Sequence, residues 1–225
     1  EIRKKIKKIK KDEKKFDLKN SDKVIKKLNF KLTNDQKKTL IEINNDLTSK
    51  SKMFRLLQGD VGSGKTIVSL ISALNVVNSG YQVALMAPTE ILARQHFVLA
   101  KKIFPTQINL ALLSSKSENK IKKEIINNLK TKKIDMVFGT HAIFQKKITF
   151  SNLGFIIIDE QHKFGVRQRK LLSDKGGKNC DVLLMSATPI PRTLTMSMYG
   201  DMDISIIREK PNNRKEVKTY SKLES

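Results

Sequence analysis

The stretch FRLLQGDVGSGKT, residues 54–66, decides the fold. FRLLQ reads as a short buried strand. GDVGSGKT, residues 59–66, fits G-x-x-x-x-G-K-[ST] where that pattern carries meaning, after a strand and opening a helix. Gly59, Gly62 and Gly64 permit backbone conformations that a Cβ blocks. The loop Gly59-Asp60-Val61-Gly62-Ser63-Gly64 can therefore turn its N–H groups toward phosphate oxygens. The helix beginning near Lys65 adds the positive end of its dipole. Lys65 is expected to reach the β- and γ-phosphates of ATP, and the Thr66 hydroxyl to bind Mg²⁺.

Outward from this loop, apolar runs alternate with helical stretches. Strands are expected at 54–58, 82–87, 108–113, 134–139, 155–160 and 182–187, and helices at 65–78, 90–102, 117–130 and 189–199. Near-continuous apolar strands separated by helices predict an α/β fold, a mostly parallel sheet with helices on both faces. Ligands in such folds bind at the carboxyl ends of the strands. Two later strands end in chemistry. FIIIDEQH closes with Asp159 and Glu160, followed by Gln161 and His162. Asp159 suits the metal, and Glu160 suits polarising an attacking water. VLLMSATPIPRT, 182–193, ends in Ser186 and Thr188, hydroxyls placed to report the γ-phosphate state through His162 or the carboxylate pair. Pro189 and Pro191 fix the exit into the next helix.

Taken in order, these segments resemble motifs I, II and III of the superfamily 2 helicases. RLLQGDVGSGKT, ALMAPTEILARQH (84–96), FGTHAIFQ (138–145), IIDEQHKFGVRQR (157–169) and SATPIPRTLTMSMYGDMDIS (186–205) narrow the resemblance to the RecG family of branched-DNA helicases. It covers roughly residues 30–210 and implies a RecA-like P-loop NTPase domain. It also implies roles. Lys65, Asp159, Glu160 and His162 would be catalytic, and Thr66 and Asp159 would hold the metal. Phe30 and Gln36, in LNFKLTNDQ, would recognise adenine; an amide offers that edge one donor and one acceptor. Pro88, Thr89, Glu90 and Arg94 would touch DNA backbone, as would Gly139, Thr140 and His141. Gln161, Ser186, Thr188 and Arg192 would couple nucleotide state to DNA, with Arg167 and Arg169 as further contacts. Ser186 stands where RecG proteins often have Thr, and Lys163 where Arg is usual, which loses the planar fork.

The chain carries 45 basic and 22 acidic residues, a net charge of +23. Nucleic acid is the first partner this implies. The Lys-, Ile- and Asn-rich, Arg-poor composition leaves two readings open, a DNA-tracking groove and a solvated lysine face. The lone Cys180 excludes an internal disulfide and fits a reducing cytoplasm. No apolar run approaches the roughly 18 residues of a membrane span. The basic N-terminus has no apolar segment behind it and is not a signal peptide.

The expected organisation is a basic helical lead-in over 1–29, a helicase ATP-binding domain over 30–210 and the start of a linker over 211–225. The chain reads as a monomeric piece of a longer protein whose second RecA-like domain and DNA-wedge domain lie elsewhere. The expected activity is ATP-driven remodelling of branched DNA. Two alternatives stay open: a transcription-repair coupling factor motor, and a basic DNA-binding module with nucleotide as a structural ligand. Gln161 favours the RecG family over the first.

Overall fold

The computed structural model describes residues 10–114, 117–159, 177–188 and 202–209. Seven strands form one parallel sheet. They are β1 (Phe54–Gly59), β2 (Gln82–Met86), β3 (Leu110–Leu113), β4 (Met136–Gly139), β5 (Leu153–Ile158), β6 (Asp181–Ser186) and β7 (Asp203–Ile207), in the spatial order β3-β4-β2-β5-β6-β1-β7. The five α-helices among the described residues are α1 (Lys19–Lys27), α2 (Asn34–Thr48), α3 (Lys65–Asn78), α4 (Glu90–Ile103) and α5 (Asn119–Lys130).

Strand residues alternate between two cores. Leu57, Val83, Leu85, Phe138, Ile157 and Met185 point toward α2, α3 and α4. Leu56, Ala84, Met86, Val137, Ile156 and Leu184 point to the opposite face, where Leu129 of α5 packs. Both faces are covered, so the strands carry the continuous apolar runs of a buried parallel sheet. All six expected strands form, with ends shifted by a residue or two. The helix expected at 65–78 has those bounds. The helix expected at 189–199 lies outside the described residues.

Two features depart from the sequence expectation. Strand β7 was not foreseen. DISII pairs parallel with β1 at the sheet margin and buries only part of its side chains, so it lacks the solid apolar run of its neighbours. The lead-in also differs. Residues 11–17 are not helical. They cross the amino-terminal edge of the sheet, where the Lys11 and Lys14 Nζ atoms each reach Asp181 Oδ2 at 2.6 Å with all three side chains fully buried. Burial pulls the Lys11 ammonium below its ordinary pKa against the pull of Asp181.

Helix α2 is fixed to the sheet by charge as well as packing. Arg55 on β1 donates to Asp46 on α2 at 2.9 Å and to Ser205 on β7 at 2.8 Å. At its start, Thr33 and Gln36 form a reciprocal capping box. This attachment sets Gln36 against the phosphate loop.

Candidate active site

The phosphate loop leaves β1 at Gly59. Turn geometry, with the Ser63 N–H donating to the Asp60 carbonyl at 3.0 Å, brings the chain back to start α3 at Lys65. Gly62 and Gly64 take φ of 80° and 92°, the left-handed region that excludes most side chains. A Cβ on Gly59 would lie 2.6 Å from Ser63 Oγ and 2.9 Å from the Ile207 carbonyl, so the loop passes close under β7. Asp60, Val61 and Gly62 are exposed. Lys65 is buried, and its Nζ donates to the Gly59 carbonyl at 2.5 Å and the Asp60 carbonyl at 3.0 Å, which holds the ammonium over the loop. Thr66 is half-buried in the first turn of α3. Ser63 Oγ is buried with no hydrogen-bond partner. A tight glycine turn, a helix N-terminus, an ammonium above it and an unsatisfied hydroxyl fit a triphosphate.

Gln36 meets this loop from outside. Its Nε2 donates to the Ser63 carbonyl at 2.7 Å and its Oε1 accepts the Thr33 N–H at 3.0 Å, and the side chain is buried. Phe30, four residues before the α2 start, is exposed. A cavity of about 380 Å³ opens beside the loop, between Gly59, Ala187 and Ile206–Arg208.

Strand order brings the remaining groups to the same edge. β1 and β5 both border β6, with Leu56 and Ile158 in register with Leu184. Asp159, directly after β5, therefore emerges two strand spacings from the phosphate loop, about 10 Å. Asp159 is buried. Its backbone N–H donates to the Met86 carbonyl at 2.8 Å, and its Oδ2 lies 2.7 Å from His96 Nε2. Between the two sites, at the end of β6, Ser186 Oγ pairs with Thr188 Oγ1 at 3.1 Å. Beyond Asp159 come β2 and β4, which end together, Met86 opposite Gly139. The Ala87 N–H donates to the Gly139 carbonyl at 2.9 Å, so Pro88–Glu90 and Gly139–His141 leave the sheet side by side. Thr89 caps α4 through the Leu92 N–H, Arg94 is exposed, and His141 is exposed. Gly139 is buried, with no room for a Cβ beside the Leu113 carbonyl. Glu160, Gln161, His162, Arg167, Arg169 and Arg192 lie outside the described residues.

Sequence reading missed His96 and Arg208. His96 sits inside ALMAPTEILARQH, but nothing local marks its imidazole as the partner of a carboxylate on another strand. Arg208 follows the unforeseen β7.

The DEAD/DEAH box helicase family matches residues 33–197. This chain belongs to that family. Membership of that family implies ATP use, and the parallel sheet is the RecA-like fold of that group. It is 54% identical over 205 residues to the ATP-dependent DNA helicase RecG of Aquifex aeolicus, covering 90% of this chain and 26% of that protein. It is 50% identical over 197 residues to RecG of Bacillus subtilis, covering 87% and 29%. The structure of RecG bound to a three-way DNA junction superposes with a TM-score of 0.85 at 44% identity, over 96% of this chain and 29% of that one. The chain thus spans between a quarter and a third of the length of these relatives. A DEAD box protein from Methanococcus jannaschii shares the fold at 22% identity and a TM-score of 0.65. Among the described residues no helix is long and apolar enough to cross a membrane.

Proposed function

We propose that this chain is the nucleotide-binding motor domain of an ATP-driven DNA helicase that remodels branched DNA such as stalled forks and Holliday junctions. One observation carries the reading. The phosphate loop, Ser186, Asp159 and the segments 88–90 and 139–141 occupy successive positions along one sheet edge. Nucleotide chemistry at one end and nucleic-acid contact at the other then share a rigid frame.

The residues divide the work. Loop N–H groups and Lys65 bind and orient the β- and γ-phosphates. Thr66 and Asp159 hold Mg²⁺, which when bound neutralises charge developing on the transferred phosphoryl group. Glu160 and His162 orient the attacking water. Phe30 and Gln36 recognise adenine. Pro88, Thr89, Arg94 and Gly139–His141 grip DNA backbone through N–H groups, hydroxyls and a guanidinium. Gln161, Ser186, Thr188 and Arg192 relay the nucleotide state. A second RecA-like domain closes over the nucleotide, and a DNA-wedge domain splits the junction. The 46–54% identity to RecG proteins favours this over a transcription-repair coupling factor.

The test uses the full-length protein. Junction DNA should stimulate ATP hydrolysis and ATP should drive junction unwinding, and Lys65→Ala should abolish both while leaving the thermal transition in place. Junction binding with no hydrolysis in the parent protein would return the reading to a DNA-binding module with structural nucleotide.

A further inference from the structure

The geometry points to His96 as a positioning residue that transmits DNA engagement to the metal-binding carboxylate. The inference rests on the motor reading above and extends it to a residue that no motif assignment has used.

Asp159 is gripped twice by one β-α unit. Its backbone N–H donates to Met86 at the end of β2. Its Oδ2 is met by His96 on α4, the helix that β2 leads into. The tautomer with its proton on Nε2 lets the imidazole donate to this carboxylate oxygen. That bond holds one Asp159 oxygen at the carboxyl end of β5, on the sheet edge that also carries the phosphate loop. Packed around the pair, His96 is buried on the inward face of α4, whereas Arg94, two residues earlier, is exposed on the outward face.

The same helix is the meeting point of both DNA-contact segments. α4 starts at Thr89–Glu90, within the first of them. Next to His96, Phe97 packs edge-on against Phe138 at 5.7 Å between ring centres, and Phe138 directly precedes Gly139 of the second. A strain placed on either segment by DNA would thus pass through α4 to the His96–Asp159 contact. Close-packed interiors pass such shifts on instead of absorbing them. Groups that orient metal ligands typically cost 10- to 100-fold in metal affinity when removed.

The experiment titrates Mg²⁺ into the full-length protein holding a fluorescent non-hydrolysable ATP analogue, with and without junction DNA. The parent, His96→Ala and His96→Gln are compared, and glutamine keeps an N–H donor. Junction-stimulated ATP hydrolysis by the parent, measured alongside, tests the motor reading separately. Expected for His96→Ala are unchanged analogue affinity in EDTA, an Mg²⁺ half-saturation raised about 10-fold, and loss of the DNA-induced change in that value. His96→Gln should recover most of both effects. Parent-like Mg²⁺ and DNA responses in His96→Ala would overturn the proposal. So would equal defects in both variants that track a lowered thermal transition, since that pattern belongs to a residue that only packs.

Discussion

Gln36 Nε2 donates to the Ser63 carbonyl at 2.7 Å, tying the first turn of α2 to the phosphate loop across the sheet edge. The same amide accepts the Thr33 N–H through its oxygen. One N–H and one lone pair remain for an adenine edge. Gln36→Ala removes half of a capping box and a buried hydrogen bond, together about 1–2 kcal/mol. Chemical denaturation should register that loss. Nucleotide titration should show ATP affinity falling more than GTP affinity, because only adenine loses a partner as well as the loop support. Equal losses would confine Gln36 to holding the loop.

Gly64 depends on the same contact. Its φ of 92° alone costs a non-glycine residue about 1–2 kcal/mol. A Cβ there would also collide with Gln36 Nε2. Gly64→Ala should therefore push Gln36 off Ser63 and reshape the loop. Nucleotide affinity should fall by more than in Gln36→Ala, with the far-UV circular dichroism spectrum retained. Parent-like ATP binding would show that the loop adapts around the methyl group.

How far these features could be read in advance follows from where their causes lie. The phosphate loop and Asp159 announce themselves locally, through glycine spacing and an apolar strand ending in a carboxylate. Their shared edge follows once the sheet is taken as parallel. β7 was hidden because DISII sits at the margin, where one-sided burial leaves no continuous apolar run. Lys11 and Lys14 looked like solvated charges, and only Asp181, far away in sequence, makes them interior. His96 was invisible for the same reason, since its partner stands on a different strand.

Asp35 on α2 accepts the backbone N–H groups of Arg208 at 2.8 Å and Glu209 at 3.0 Å, just past β7. The Glu209 carboxylate in turn accepts the Asn34 N–H at 2.7 Å. The two backbone donors hold the Asp35 carboxyl below its ordinary value of 3.8. The folded state then binds fewer protons than the unfolded state as pH falls past that value. Its stabilisation is complete above 3.8 and is lost as pH drops through the folded pKa. Denaturation midpoints measured from neutral pH down into this range should fall less steeply for Asp35→Asn than for the parent. Identical slopes would mean the clasp contributes nothing to pH dependence.

Asp181 opens β6 at the opposite end from Ser186, with its carboxylate shared by the Lys11 and Lys14 ammonium groups and the Met53 N–H. Two buried cations thus depend on one anion. Asp181→Asn keeps the shape but strands both, and losing one side of a buried pair costs about 3–5 kcal/mol. Lys11→Met removes the cation that burial already disfavours and leaves Lys14 paired, with its Nζ 5.0 Å from the centre of the Tyr81 ring. It should cost much less than Asp181→Asn, and chemical denaturation of the two variants compares them directly. The six residues of β6 put roughly 20 Å between this cluster and the nucleotide edge. ATP affinity of the folded Asp181→Asn protein should therefore match the parent. A drop in affinity at temperatures where the variant is fully folded would show that the lead-in contact reaches the active site through the strand.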